Sequence, residues 1–392
     1  MMPAMTNAAE AAATWLRDKT GAMEASLIPL VQINSYTDNA EGGRTTGERL
    51  RDELFAIAGL SCEVIRSERY ADHLVFRSKG RAGCAPIALV GHLDTVFAPG
   101  SFEGYVRDGD LARGPGVLDM KGGLVVIGYA LRAIAETIGL DAVPPIRLVI
   151  VADEEVGSPE GQGIIAREAA GAQAALVFEA GRKADAIITR RKGTGAIKAV
   201  AHGRASHAGN NHKEGANAIW ALSRFIDLAQ RKTDYDRGVT VNVGRISGGE
   251  SKNTVPDRAE GTLDIRFETK VDAERLVSEL VEASVAACEV VAGTTMEITG
   301  GVSRLPLERT EASAALLADY AACAKAAGLG HGEASLIGGG SDASTTSAIG
   351  VPSIDGLGPR GSGFHTKDEL SELSTFVPKA EAVMRFLIER GK

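Results

Sequence analysis

PIRLVIVADEEVGS, residues 145–158, decides how the chain is read. Ile146–Val151 is a short, β-branched apolar run between two prolines and a cluster of acids, the signature of a buried strand. Two glutamates, Glu154 and Glu155, follow at once. Adjacent like charges repel, and each is costly to desolvate. A chain that puts both where its sheet ends needs them there.

Outward from this stretch the same rhythm repeats. APIALVG (85–91) and AALVFE (174–179) read as further buried strands. Between them lie an apolar stripe at Leu124, Ile127, Leu131 and Ile134 and a short helix over 161–170. Strands alternating with helices predict an α/β layer with a mainly parallel central sheet, both faces covered by helices. From 192 to 304 the order changes to strand (196–202), helix (214–230), two alternating strands (238–246 and 260–268), helix (272–291) and strand (295–300). That βαββαβ order is ferredoxin-like. After Leu305 the α/β alternation resumes and ends in a helix over about 376–390. The expected organisation is therefore a discontinuous α/β domain, 1–191 with 305–392, interrupted by an inserted ferredoxin-like α+β domain at 192–304.

Bulk properties narrow the function. The 392 residues are 44% hydrophobic, ample for real cores, and the net charge of −8 argues against nucleic acid as a partner. No run approaches the roughly 18 apolar residues of a membrane span. Arg17, Asp18, Lys19 and Glu24 interrupt the N-terminal stretch before a secretory apolar core forms. The scattered Cys62, Cys84, Cys288 and Cys323 lack C-x-x-C spacing and read as buried thiols of a cytoplasmic protein.

Candidate chemistry sits where the predicted strands end. In GHLDTV (91–96), His92 and Asp94 are two residues apart, on one face of an extended backbone, although a polar turn gives the same pattern. Asp119 occupies a glycine-rich turn in ARGPGVLDMKGG (112–123), where a plain helix N-cap is the competing reading. Glu179 closes another strand, and His365 stands in the late loop GFHTKDE (363–369). In an open α/β sheet, ligands bind outside the carboxyl ends of the strands. Two histidines and three or more carboxylates converging there suit a pair of zinc-like ions. A nicotinamide-dependent oxidoreductase lacks its G-x-G-x-x-G, and GGGSD (338–342) lacks the lysine of a phosphate loop.

GHLDTV, GPGVLDMKGG, VADEEVGS, FEAG, GRASHAG, GGGSD and GFHTKDE, in this order, resemble metallopeptidase family M20, most closely its glutamate carboxypeptidase branch, over about residues 20–390. The family also contains acetylornithine deacetylases, succinyl-diaminopimelate desuccinylases and aminoacylases. The resemblance implies two zinc ions, with cobalt or manganese as substitutes: His92 and Glu179 on one, Glu155 and His365 on the other, Asp119 bridging. It implies Asp94 orienting His92, Glu154 as general base, and a cis peptide after Asp119, although Met120 stands where the family often has a second acid. His207 in GRASHAG would reach the neighbouring subunit's site across a homodimer formed by the inserted domain.

By the same resemblance Asn253 and Arg266 would bind the substrate's free carboxylate, an arginine fork suiting a carboxylate. Gly339 and Gly340 would line the cleft. Arg304 and the basic run Arg190, Arg191, Lys192 could bind an acidic side chain such as glutamate's, with a solvated charge run as the competing reading. The implied activity is exopeptidase cleavage of a small peptide or N-acyl amino acid next to a free carboxylate, with glutamate favoured. The alternatives are an N-acyl-amino-acid deacylase or desuccinylase and, in another class, a non-catalytic binding or scaffold protein on this fold.

Overall fold

The computed structural model describes residues 2–391, with side chains from Ala8 onward; Met1 and Lys392, the outer ends of the expected catalytic domain, lie outside the described residues. In chain order run α1 (Met2–Leu16), α2 (Thr20–Gln32), α3 (Ala40–Arg49), β1 (Leu60–Ile65), β2 (His73–Ser78), β3 (Ile87–His92), β4 (Val106–Asp108), β5 (Leu111–Arg113), α4 (Lys121–Thr137), β6 (Ile146–Val151), α5 (Gly161–Ala169) and β7 (Ala174–Val177). Next come β8 (Gly193–His202), β9 (Ser206–His207), α6 (Ala218–Gln230), β10 (Thr240–Gly248), β11 (Thr254–Val255), β12 (Arg258–Phe267), α7 (Lys270–Val290) and β13 (Thr295–Arg304). The chain closes with α8 (Glu311–Ala326), α9 (Ala343–Ala348), β14 (Ser353–Ile354), β15 (Gly361–Ser362), β16 (Leu370–Glu372) and α10 (Phe376–Arg390). Two compact units result, one made of the chain up to Arg190 with 309–336 and 341 onward, the other of 191–308 with 337–340. The second unit thus takes in the glycine loop 337–340, which the sequence grouped with the first.

In the first unit a six-stranded sheet has the order β1-β2-β6-β3-β7-β14. The β6-β3-β7-β14 block is parallel, while β1 and β2 form an antiparallel edge. Alternation along β3 feeds two cores: Ile87 and Leu89 pack in the large cluster with α4, and Ala88 in a small one with Ala169 and Val351. The predicted stripe on α4 is buried, but so is nearly every other residue of its first three turns. The reason is position: α4 is packed by α1, α2 and α10 as well as by the sheet.

The second unit is the ferredoxin-like pattern, an antiparallel sheet β10-β12-β8-β13 whose core, including Ala199, Leu263, Phe225 and Leu280, is shared with the paired helices α6 and α7. The buried-thiol expectation holds for Cys323 only. Cys62 is exposed because β1 is an edge strand with its outer face uncovered, and Cys84 and Cys288 are half-buried. No helix among the described residues is long and apolar enough to cross a membrane.

Candidate metal centre

Parallel register sets up the site. His92, the last residue of β3, pairs with Val151 at the end of β6, and Val90 pairs with Val177 at the end of β7. The chain segments leaving these three adjacent strands carry His92 and Asp94, Glu154 and Glu155, and Glu179. The turn after β6 is closed by Asp153, whose Oδ2 accepts the Glu160 and Gly161 amides at 2.7 and 3.1 Å and so caps α5. With the turn pinned behind them, Glu154 and Glu155 project from its other side.

Asp94 ties these segments together. Its Oδ1 and Oδ2 accept the backbone N–H groups of Glu154 and Glu155, each at 3.2 Å, and Oδ2 also accepts the Thr37 hydroxyl at 2.8 Å. His92 Nδ1 lies 3.0 Å from the Asp94 main-chain oxygen and 3.4 Å from Oδ1. Both neighbours are acceptors, so Nδ1 keeps its proton in either charge state, and Nε2 is the nitrogen turned toward the site. The expected orienting role is thus shared between the carboxylate and the Asp94 carbonyl.

Asp119 reaches in from the loop before α4, and its peptide to Met120 is cis, as the resemblance implied. One oxygen faces each histidine: Oδ1 is 3.5 Å from His92 Nε2, and Oδ2 is 3.3 Å from His365 Nε2. Glu179 Oε1 lies 3.9 Å from His92 Nε2, and Glu155 Oε2 lies 3.1 Å from His365 Nε2. Two groups able to hold an ion result, each with ligand atoms within 4.8 Å of one another: His92, Glu154 and Glu179, and Asp119, Glu155 and His365. Glu154, expected as a base and not as a ligand, therefore has an oxygen in ligating range of the first group.

The donor set fits divalent cations. Buried polar atoms are almost always hydrogen-bonded, yet among the described residues none bonds His92 Nε2, Asp119 Oδ1 or Glu155 Oε1, three buried atoms in this cluster. Mixed imidazole nitrogen and carboxylate oxygen ligands suit zinc. The electrostatics agree. Burial, reinforced by Asp119, pushes the Glu179 carboxyl up to about 7, and burial also raises Glu155. Burial opposes charge on Asp119, but His365 and His92 outweigh it and hold its carboxyl well below the usual range. Asp119 and Glu155 lift His365 to about 10. For His92, burial works against the charged form, but Asp119, Asp94 and Glu179 prevail and raise it well above the ordinary imidazole value.

The remaining candidates belong to the second unit. His207 in β9 pairs with Thr254 of β11, and the Ala208 amide donates to the Asn253 carbonyl at 2.9 Å, so His207 and Asn253 share one small ladder. His207 Nδ1 accepts the Gly209 and Asn210 amides, each at 3.1 Å, which puts the imidazole proton on Nε2. Arg266 and Arg304 flank Thr194 on one face of the sheet, and a Cβ on Gly340 would come within 3.1 Å of Arg304 Cδ. The Arg266 fork is already engaged: Nε and Nη2 donate to the two oxygens of Asp264, each at 2.9 Å. Residues 190–192 are not one basic cluster. Arg191 is buried and donates to the Gly339 carbonyl, Lys192 donates to the Gly238 carbonyl, and only Arg190 is exposed.

Sequence reading missed Asp153, Glu369 and Lys121. Glu369 is wholly buried and accepts the Gly116, Leu118 and Asp119 amides. Lys121, also buried, donates to the Leu30 and Ile33 carbonyls at 2.9 and 3.0 Å. In the sequence each is a charged residue in a polar loop, and only its nearness to a candidate ligand hinted at more.

Comparison with known proteins is consistent with this geometry. Residues 189–300 match the model of a peptidase dimerisation domain. Carboxypeptidase G2 of Pseudomonas sp. (strain RS-16) is 29% identical over 382 residues, 95% of this chain and 90% of that protein. A putative succinyl-diaminopimelate desuccinylase of Mycobacterium tuberculosis is 27% identical over 363 residues, 86% and 92% of the two chains. The M20 family metallo-carboxypeptidase Sso-CP2 of Sulfolobus solfataricus shares the fold with a TM-score of 0.75 at 16% identity, covering 94% of this chain and 99% of that one. Motifs in order, the matched domain and the near full-length similarity point one way: the chain resembles the M20 metallopeptidases and related amidohydrolases along nearly its whole length.

Proposed function

We propose that this hydrolase is a dizinc exopeptidase that cleaves the amide bond to a C-terminal amino acid, glutamate being favoured, in small peptidyl or N-acyl substrates. Residues 1–191 and 305–392 form its catalytic domain, and 192–304 pair two copies into a cytoplasmic homodimer. The observation that carries the reading is the Asp119 carboxylate, with one oxygen toward each of two imidazoles at 3.5 and 3.3 Å. A bridging ligand requires that disposition. His92 and Glu179 would complete one metal's protein ligands, and Glu155 and His365 the other's.

A zinc pair in this cluster would supply the Lewis acidity that makes water a nucleophile at neutral pH and polarises a carbonyl. Every proton movement falls to side chains. Glu154, half-buried and so open to water, takes a proton from the attacking water and passes it to the leaving nitrogen as the C–N bond breaks, giving a free carboxylate and an amine. Asp94 keeps His92 in its Nδ1–H tautomer. The His207 Nε2–H of the second subunit donates to the oxyanion that develops on the former carbonyl. Asn253 and Arg266 grip the substrate's terminal carboxylate, Arg266 exchanging its Asp264 contact for it, and Arg304 faces an acidic side chain beside the Gly339–Gly340 loop.

The desuccinylase relative favours a second reading, N-acyl-amino-acid deacylation by the same residues. Release of glutamate from peptidyl glutamates, against release of acetate or succinate from acylated amino acids, separates the two. Metal analysis should give two zinc ions per chain, and Glu154→Gln should retain them while turnover falls about 10²–10⁴-fold. Near-normal turnover in that variant would refute the base assignment.

A further inference from the structure

Glu369 is a buried carboxylate that the chemistry above does not use. It stands four residues after His365 and directly before β16, whose Leu370 pairs with Arg113 at the end of β5. There the two chains part, and the β5 side turns into the loop 114–120 that carries Asp119. Glu369 takes over where the ladder stops. Its Oε1 accepts the Leu118 and Asp119 amides at 2.9 and 3.0 Å, and its Oε2 accepts the Gly116 amide at 3.2 Å. The side chain is 0% exposed, as are Val117, Leu118 and Met120 around it, so no solvent is at hand for these three N–H groups. With three donors on its two oxygens, the carboxylate is occupied by backbone.

We infer that Glu369 is a positioning residue for Asp119: by holding three backbone amides of the 116–119 loop, it fixes where the two Asp119 oxygens point. It also joins two candidate ligand loops, since the segment that presents His365 is the one that clamps Asp119. The inference rests on the reading of Asp119 as a metal ligand. Charge is part of the device, because a carboxylate can accept from all three amides, whereas a carboxamide sets an NH2 against one of them.

The test compares full-length wild type with Glu369→Gln and Glu369→Asp, and with Leu387→Ala, a core variant in α10 that lowers stability elsewhere. Zinc affinity is measured by competition with a chromophoric chelator, and amide exchange over 116–119 by mass spectrometry. Glu369→Gln should bind zinc roughly 10–100-fold more weakly and lose protection in that segment, while Leu387→Ala keeps wild-type affinity. Glu369→Asp keeps the charge on a shorter arm and should weaken binding as well; it carries the test alone if the glutamine variant does not fold. Wild-type zinc affinity in the folded Glu369 variants overturns the inference while leaving the metal reading intact. Should wild type itself take up no zinc, the metal reading fails and this inference falls with it.

Discussion

Replacing Asp94 by asparagine removes one oxygen and one charge from the node that connects His92 to Glu154 and Glu155. The four donors around that carboxylate divide into two sets. Oδ1 serves the Glu154 amide and lies 3.4 Å from His92 Nδ1, while Oδ2 serves the Glu155 amide and the Thr37 hydroxyl. The asparagine NH2 is tolerated best beside Thr37, whose hydroxyl can turn and accept. The Glu155 N–H cannot, and is left facing another donor in a buried place, a cost of about 1–3 kcal/mol. Loss of charge assistance in the remaining bonds adds roughly 1 kcal/mol. The zinc-loaded protein should therefore lose about 2–4 kcal/mol, much of it as a 10–100-fold weaker zinc affinity, which corresponds to about 1.4–2.7 kcal/mol. Chelator competition reads the affinity, and urea unfolding with and without zinc reads the stability. If Asp94→Asn holds zinc as tightly as wild type, Asp94 does not organise the site.

Four further outcomes follow from other parts of the molecule. Lys379 and Asp185 are a buried ion pair at 3.6 Å, and Asp185 also accepts from Arg360 at 3.0 Å; Asp185→Asn should cost about 3–5 kcal/mol in urea unfolding, whereas Lys379→Met stays within roughly 1 kcal/mol of wild type or gains, because Asp185 keeps Arg360. Burial holds the Lys379 amine down at about 8 against 10.5 when unfolded; between those values the unfolded chain binds more protons, so wild type should gain up to roughly 3 kcal/mol relative to Lys379→Met as pH rises through that window, and parallel stability curves would refute this. Gly123→Ala, whose Cβ would lie 2.3 Å from the Phe178 carbonyl oxygen, should lower stability by about 1–3 kcal/mol and also reduce turnover, since Glu179 is the next residue; unchanged turnover would separate the packing from the site. In the proposed homodimer the edge strand β10 carries Ile246, 68% exposed, so Ile246→Lys should shift sedimentation toward monomer, and an unaltered dimer would exclude that edge.

Strand ends and ordered motifs made most of the candidate site legible because each candidate ligand type announces itself: an acid or histidine just after an apolar run has no core to enter. The ferredoxin-like order could be read for a similar reason, since its strands alternate cleanly with one solvated face, as in β12. What stayed hidden was whatever depends on three dimensions. The edge strand β1 and its neighbour β2 have at most three apolar residues in a row, and β4, β5, β15 and β16 are two or three residues each, defined by their partners more than by composition. Gly122 and Gly123 read as a turn but open α4, where the absent Cβ lets the helix approach the carbonyls of Val117 and Phe178.

Local pattern says least about which charge meets which. Arg190, Arg191 and Lys192 look like one basic patch and go to three environments, because successive side chains on an extended backbone diverge. Arg266 looks available for a substrate and is held by Asp264 two residues earlier, since the same period-2 geometry brings i and i+2 to one face. Glu154 and Glu155 read as a repulsion that a metal beside one and a base role for the other would explain. Asp94 supplies another part of the explanation, because a third carboxylate receives both of their backbone amides and spends its own charge on organising the turn. The acids at this strand end are therefore of two kinds, those that face the cluster and those that build the wall behind it. Sequence distance does not separate the kinds: Asp153, Glu154 and Glu155 are consecutive, and the first caps a helix while the other two face the site.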